Sequence, residues 1–239
     1  MLDEAQIERV LVITAHPDDV DFGAAGTVAS LTDRGVHVTY CIVTDGDAGG
    51  FENAMSRAEM AALRREEQTR AAKEVGVDDL VFLAQPDGRL QADLGLREVL
   101  ARVIRQVRPQ LVITQHPVRN LNRIRASHPD HLAVGEAALC AVFPDSRNPF
   151  AFPHLLQAEG LEAWTVPEVW LFGGGDGARV VDITDQLDRK LRALRAHESQ
   201  HEDQDQIASF VAEWGRTIGA EYGLGDGRAG EAFLVVDTG

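Results

Sequence analysis

Positive charge is scarce in this 239-residue chain. Lysine occurs only at Lys73 and Lys190, and 23 Lys and Arg stand against 38 Asp and Glu, a formal net charge of −15. A nucleic-acid backbone or an anionic membrane surface needs a basic patch that is hard to assemble from this set, so neither is expected as a partner. Cysteine is rare too. Cys41 lies in the apolar run VTYCIVT and Cys140 in the helix-like EAALCAV, and both read as buried free thiols of a reducing compartment. No apolar stretch approaches the roughly 18–20 residues that cross a bilayer, and MLDEAQIERV lacks the pattern of a signal peptide; a cytoplasmic location is the expectation. Also missing is G-x-G-x-x-G after the first apolar strand, where GAAG (23–26) offers only a short glycine pair, which argues against a nucleotide-binding module.

What is present is a 44% hydrophobic content, enough for a full core, and a length best fitted by a single domain over residues 1–239. Strand-like and helix-like segments alternate: RVLVIT (9–14), a helix over 23–35, VHVTYCIVT (36–44), a helix over about 55–75, DLVFLA (79–84), a helix over 94–107, QLVITQ (110–115) and a helix from 128 to 142. Strands that are apolar almost throughout, separated by amphipathic helices, predict an α/β, Rossmann-like three-layer sandwich with a mostly parallel sheet. Gly35 and Gly76 sit where C-terminal caps belong. The last third is less regular and reads as a C-terminal elaboration. Residues 143–156 form a loop, 169–172 and 178–184 form strands, and helices follow over 185–197 and 203–218.

Two short clusters carry the chemistry. VITAHPDD (12–19) ends the first strand with His16, Asp18 and Asp19, adjacent carboxylates that would repel unless something positive sits between them. SHPDH (127–131) follows the QLVITQ strand and opens a helix with Pro129. Ligands of open α/β sheets bind beyond the carboxyl ends of strands, where both clusters fall. Taken singly, either is more often a turn with a capping Asp. As a pair at two strand-to-helix junctions, they point to a divalent cation. Histidines with one carboxylate and an open position suit catalytic zinc, with ferrous iron the chief competitor.

These clusters, with Arg64-x-x-Glu67, Gly76 and VDIT…K…L..H.SQ (181–200), make the chain from about Arg9 to Gln200 resemble the LmbE-like, or N-acetylglucosaminyl-phosphatidylinositol de-N-acetylase (PIG-L), family. RIRASHPDHLAVGEAALCAVFPDSRNPFAFPHLL resembles a bacterial, actinobacterial branch of it. The resemblance implies a zinc-dependent hydrolase that removes acetyl from an N-acetylglucosamine-type amide on a small conjugate, through a metal-activated water. It assigns His16, Asp19 and His131 to the metal, Asp18 to the general base and His128 to the oxyanion or to acid catalysis. Asp130 would hold His128. The resemblance gives Arg64 to the sugar, although the default for the charged run LRREE is a solvated helix face; Asp87, at the same edge of the sheet after the third strand, is a sugar-hydroxyl partner by location, with a turn the default for QPDGRL.

Other polar positions keep blander expectations. His197 reads as a helix-end histidine near the C-terminal dipole, with contact to the site a minority reading. His116 and Asn120 lie where relatives carry a further aspartate; His37, His154 and His201 read as surface or structural. TDGDAGG (44–50) reads as a rim or a plain loop. GFENAM (50–55), the aromatic stretch after Asn148, and Trp164, Trp170 and Trp214 could form an acceptor wall or a homo-oligomer contact. Competing readings are an amidase on a thiol or secondary-metabolite conjugate, a metal-dependent phosphoesterase, and a silent sugar-binding relative. A two-metal phosphoesterase lacks its further carboxylates, and the silent relative would not need the intact set of catalytic positions.

Overall fold

The computed structural model describes residues 2, 4–51, 55–122, 124, 127–175 and 177–239. Of the sequence expectations, part of GFENAM and part of the RIRA segment before Ser127 lie outside these residues. Five parallel strands, β1 (Arg9–Thr14), β2 (His37–Thr44), β3 (Asp79–Gln85), β4 (Leu111–Thr114) and β5 (Glu168–Phe172), are joined by β6 (Arg179–Asp182) and β7 (Gly230–Asp237). The sheet order is β3-β2-β1-β4-β5-β7-β6, with β7 antiparallel to both β5 and β6.

Alternation along β1 builds two cores. Val10 and Val12 join Val28, Tyr40, Ala72 and Trp170 on one face; Leu11 and Ile13 join Leu100, Ile104, Val134 and Ala138 on the other. Leu11 and Ile13 are wholly inaccessible, so each contributes about 1.5–3 kcal/mol of burial. The covering helices are α1 (Asp19–Gly23), α2 (Ala25–Asp33), α3 (Arg57–Glu74), α4 (Leu94–Val107), α5 (Pro129–Cys140), the short α6 (His154–Gln157), α7 (Leu187–Arg195) and α8 (Gln204–Glu221). Their starts are written locally. Ser56 and Glu59 form a reciprocal capping box on α3, Asp93 caps α4, and Pro129 opens α5. Gly35 and Gly76, both at φ +81°, end α2 and α3, and the following N–H groups turn back to Leu31 and Ala72.

Three expectations need correction. Strand β7 had no sequence-based counterpart, yet it fills the place between β5 and β6. It is locked by Glu231, which accepts the N–H groups of Gly26 and Thr27 at the start of α2 and pairs with Lys190 Nζ at 2.6 Å. Cys140 is half-exposed, because its side of α5 faces Glu136 and not a core; only Cys41 is buried. The 143–156 stretch is partly helical: the chain continues from α5 in a wider winding through Ser146, broken at Phe143, and then forms α6.

From β1 the chain proceeds outward through β2 and β3, and from β4 in the opposite direction to β5. The strand order therefore reverses between β1 and β4, and the crevice beyond their carboxyl ends is where such sheets hold ligands.

Candidate metal centre

The connection from β1 to α1 carries His16 and Asp18, and α1 begins with Asp19. Asp18 has φ +90°, a conformation that a residue with a Cβ rarely adopts. The connection from β4 ends on His128, whose Nδ1 accepts the N–H of Asp130, and α5 then presents His131. His16 Nδ1 lies 3.2 Å from His131 Nε2 and 3.4 Å from Asp19 Oδ2, and His131 Nε2 lies 3.0 Å from Asp19 Oδ1. A tetrahedral zinc with ligands at 2.0–2.1 Å needs donor atoms about 3.3 Å apart. The two imidazoles and one carboxylate therefore fit such an ion in both chemistry and spacing. His16, His128 and His131 also bring ring nitrogens within 4.8 Å of one another.

The surroundings fix which atoms point inward. His16 Nε2 is 3.2 Å from Asp87 Oδ1 and 3.3 Å from Asp130 Oδ2, so that nitrogen keeps its proton and Nδ1 is the one that can give up a proton to an ion at the centre. Asp130 is held in turn by the N–H groups of Gly88 and Leu90. Its carboxylate thus serves His16, whereas the expected carboxylate contact to His128 is replaced by a backbone N–H, because α5 turns that side chain toward β3's exit. Gln115 Nε2 donates to Asp19 Oδ2 at 2.8 Å while its Oε1 accepts the Ala15 N–H, which ties the end of β4 to the Asp19 carboxylate.

Charge follows this geometry. Burial alone would lower the His16 imidazole, but Asp19, Asp130 and Asp87 outweigh it and push it up to about 12. His131 is raised against its burial by Asp19, and Asp19 is held well below the carboxylate range by His131 and His16 against its own burial. His128 is lowered by burial and by the cationic His16 and His131. Asp18 moves the other way from Asp19: burial raises it, and Arg64 opposes the rise only in part.

Arg64 departs from the solvated-face expectation. It is buried at 3% exposure, with Nη2 donating to the Pro17 carbonyl at 2.5 Å and to Asp18 Oδ2 at 3.0 Å, and Nη1 to the Gly46 carbonyl. Glu67 is buried with it, on Ser199; Arg65 and Glu66 remain exposed. TDGDAGG is accordingly packed on Arg64, since a Cβ at Gly49 would fall 2.6 Å from Nη1. His197 does follow the end of α7, its N–H turned back to the Leu194 carbonyl, but its ring is fully buried on Asp21. His116 Nδ1 accepts the nearby Val118 N–H, His37 pairs with Asp79 and His154 with Glu98, while His201 stacks edge-on against Phe22.

Sequence comparison matches residues 11–142, more than half of the chain, to the family model of PIG-L, GlcNAc-PI de-N-acetylase. The chain belongs to this family. Among curated members it is 33% identical to the diacetylchitobiose deacetylase of Thermococcus kodakarensis over 225 residues, 91% of this chain and 78% of that one. It is 32% identical to the "Probable N-acetyl-alpha-D-glucosaminyl L-malate deacetylase 2" of Bacillus subtilis, covering 82% and 84% of the two chains. The crystal structure of N,N'-diacetylchitobiose deacetylase from Pyrococcus horikoshii superposes with a TM-score of 0.89 at 30% identity, over 98% of this chain and 85% of that one. The family match contains both His-Pro-Asp clusters and ends before β5, so His197 and α8 fall outside it.

Sequence reasoning missed Gln68, Asp21 and Gln115. One signal was available: Arg64 and Gln68 are four apart on α3 and share a face with Met60 and Ala71, a stripe that is buried despite its polar members. Among the described residues, no helix is long and apolar enough to cross a membrane.

Proposed function

We propose that the chain is a zinc-dependent N-deacetylase that removes the acetyl group from an N-acetylglucosamine-type amide on a small conjugate. The reading rests on the triangle of His16 Nδ1, Asp19 carboxylate and His131 Nε2, with edges of 3.0–3.4 Å, beside the Asp18 carboxylate. The relatives that carry the likeness are deacetylases of diacetylchitobiose and, by name, of a glucosaminyl malate. Zinc held by these three residues would supply a Lewis acid for the acetamide carbonyl and bring the pKa of water toward about 7.

The chain's own groups supply the rest. Asp18, its pKa raised by burial, accepts the proton of the attacking water as general base. His128 is neutral near pH 7 because its pKa is lowered, and its Nδ1 already accepts the Asp130 N–H, so the ring N–H sits at Nε2, where it offers a hydrogen bond to the developing oxyanion and keeps its proton. Asp18, protonated in the first step, then returns its proton to the leaving amine. Asp130 and Asp87 keep His16 turned with Nδ1 inward. The family resemblance gives Arg64 to the sugar, and its place at the exit of β3 gives Asp87; since they also touch Asp18 and His16, substitutions there change turnover together with sugar binding.

The test is metal analysis of the purified protein together with free-amine release from diacetylchitobiose, N-acetylglucosaminyl malate and N-acetylglucosaminyl inositol. The reading expects about one zinc per chain and amine release from at least one conjugate. Protein that binds no zinc and releases no amine refutes it. Higher activity with ferrous iron than with zinc would reassign the metal alone.

A further inference from the structure

Behind Asp18 lies a polar network for which the reaction above has no use. Asp21, Gln68 and His197 are each wholly inaccessible. His197 Nε2 donates to Asp21 Oδ2 at 2.8 Å, and Gln68 Nε2 donates to the same oxygen at 3.0 Å. The other end of the Gln68 amide, Oε1, accepts the backbone N–H of Asp18 at 2.7 Å. Arg64, one turn earlier on α3, donates to the Pro17 carbonyl. That carbonyl and the Asp18 N–H belong to one peptide unit, so two side chains of α3 grip its two polar ends.

The grip has a direction. A carboxylate only accepts hydrogen bonds, so Asp21 compels the Gln68 amide to present its NH₂ and leaves its oxygen to face Asp18. A flipped amide would set oxygen against carboxylate and NH₂ against N–H. The gripped peptide leads into a residue at φ +90°, which an L-residue holds only when its surroundings over-determine it. Among the described residues, neither Asp21 Oδ1 nor His197 Nδ1 has a hydrogen-bond partner.

We propose that Gln68 is a positioning residue for Asp18: with Arg64 it clamps the Pro17–Asp18 peptide, and the buried Asp21–His197 pair fixes which end of its amide does so. The inference rests on Asp18 acting as the proton acceptor. Gln68→Met keeps the volume and removes both hydrogen bonds. Gln68→Glu sets a second carboxylate against Asp21. The double variant D21N/Q68E restores an amide–carboxylate pair with its direction reversed and its charge unchanged, and His197 accommodates it by moving its proton to the unpartnered Nδ1.

The readouts are kcat per bound zinc, KM on the best conjugate, zinc content and Tm. Both single variants are expected to lose about 10²-fold in kcat per zinc with KM within twofold, and the double variant to regain at least tenfold over Q68E. The reversed pair also covers the case in which a single variant fails to fold, because it retains every hydrogen bond. A Q68M enzyme with kcat per zinc within twofold of wild type overturns the proposal, as does a double variant no better than Q68E. Those results leave the deacetylase reading standing; a wild-type protein that releases no amine removes both.

Discussion

Gly135 lies one turn beyond His131 on α5, where the helix crosses the chain leaving β4. A Cβ built there would stand 2.9 Å from Pro117 N and closer still to the Gln115 carbonyl oxygen. Both obstacles are backbone, so no side chain can swing aside. Restoring an ordinary 3.4 Å contact to Pro117 N alone takes 3.4 − 2.9 = 0.5 Å, and the nearer carbonyl brings the separation of helix and strand to about 1 Å, with an overpacking cost of about 1–3 kcal/mol. The displacement is badly placed. His131 sits on one side of it, and Gln115, which holds Asp19 Oδ2 at 2.8 Å, on the other. Metal sites tolerate roughly 0.2 Å in ligand distance, and a 1 Å misplacement costs about 10²-fold in rate. Gly135→Ala is therefore expected to weaken zinc, measured by competition with a chelator, and to lower kcat/KM by about 10²-fold while the protein remains folded. Gly215→Ala on α8 is the control, since its Cβ would meet Ala229 at an ordinary 3.4 Å and Ala is the better helix former by about 0.5–1 kcal/mol. A G135A protein with zinc affinity and kcat/KM within twofold of wild type would refute the claim that this crossing sets the centre.

Asp18→Asn removes the proton acceptor without touching a ligand; kcat should fall by about 10²–10⁴-fold with zinc content unchanged by elemental analysis. Zinc affinity should rise with pH: His16 and His131 have raised pKa values in the metal-free protein, His16 to about 12, so at pH 7 a proton occupies the place the ion needs. Each proton displaced makes affinity climb about tenfold per pH unit, and equal chelator-competition curves at pH 6 and pH 8 would contradict the arrangement. Lys190→Met leaves Glu231 charged and buried at 3% exposure without its ammonium partner, at a cost of about 3–5 kcal/mol. At about 2–4 °C per kcal/mol for a chain of this size, Tm should drop by roughly 10 °C, while kcat of the folded enzyme holds.

The parts of the molecule legible in the sequence are those whose information is local. VITAHPDD holds a strand end, a turn and polar residues within eight positions, SHPDH holds the polar residues and the start of α5 within five, and the β1–β4 reversal brings them together. The five parallel strands announced themselves as apolar runs. Strand β7 did not, because GEAFLVVD begins with a buried carboxylate and its place between β5 and β6 is set by pairings to residues 168–172 and 179–182, well before it in the chain. The polar supports were illegible for the same reason. Gln68 meets Asp18 across 50 residues, Gln115 meets Asp19 across 96 and His197 meets Asp21 across 176. Single glutamines and histidines carry no pattern that foretells such partners; only the Arg64–Gln68 spacing hinted that one polar stripe of α3 faces inward.

Adjacent carboxylates are a problem at the level of sequence and a resource at the level of structure. Asp19 faces two imidazoles and a glutamine amide, and its pKa is held down. Asp18, at φ +90°, meets the Arg64 guanidinium and is raised by burial. Neighbouring titratable groups whose surroundings drive their pKa values apart can divide acid–base roles. Here the separation follows from the partners: two imidazoles for Asp19, one guanidinium against burial for Asp18. The Pro17–Asp18 peptide leads into the Asp18 dihedral, so the α3 side chains that grip it, Arg64 and Gln68, bear on the placement of the proton acceptor as directly as the carboxylate's own contact with the guanidinium.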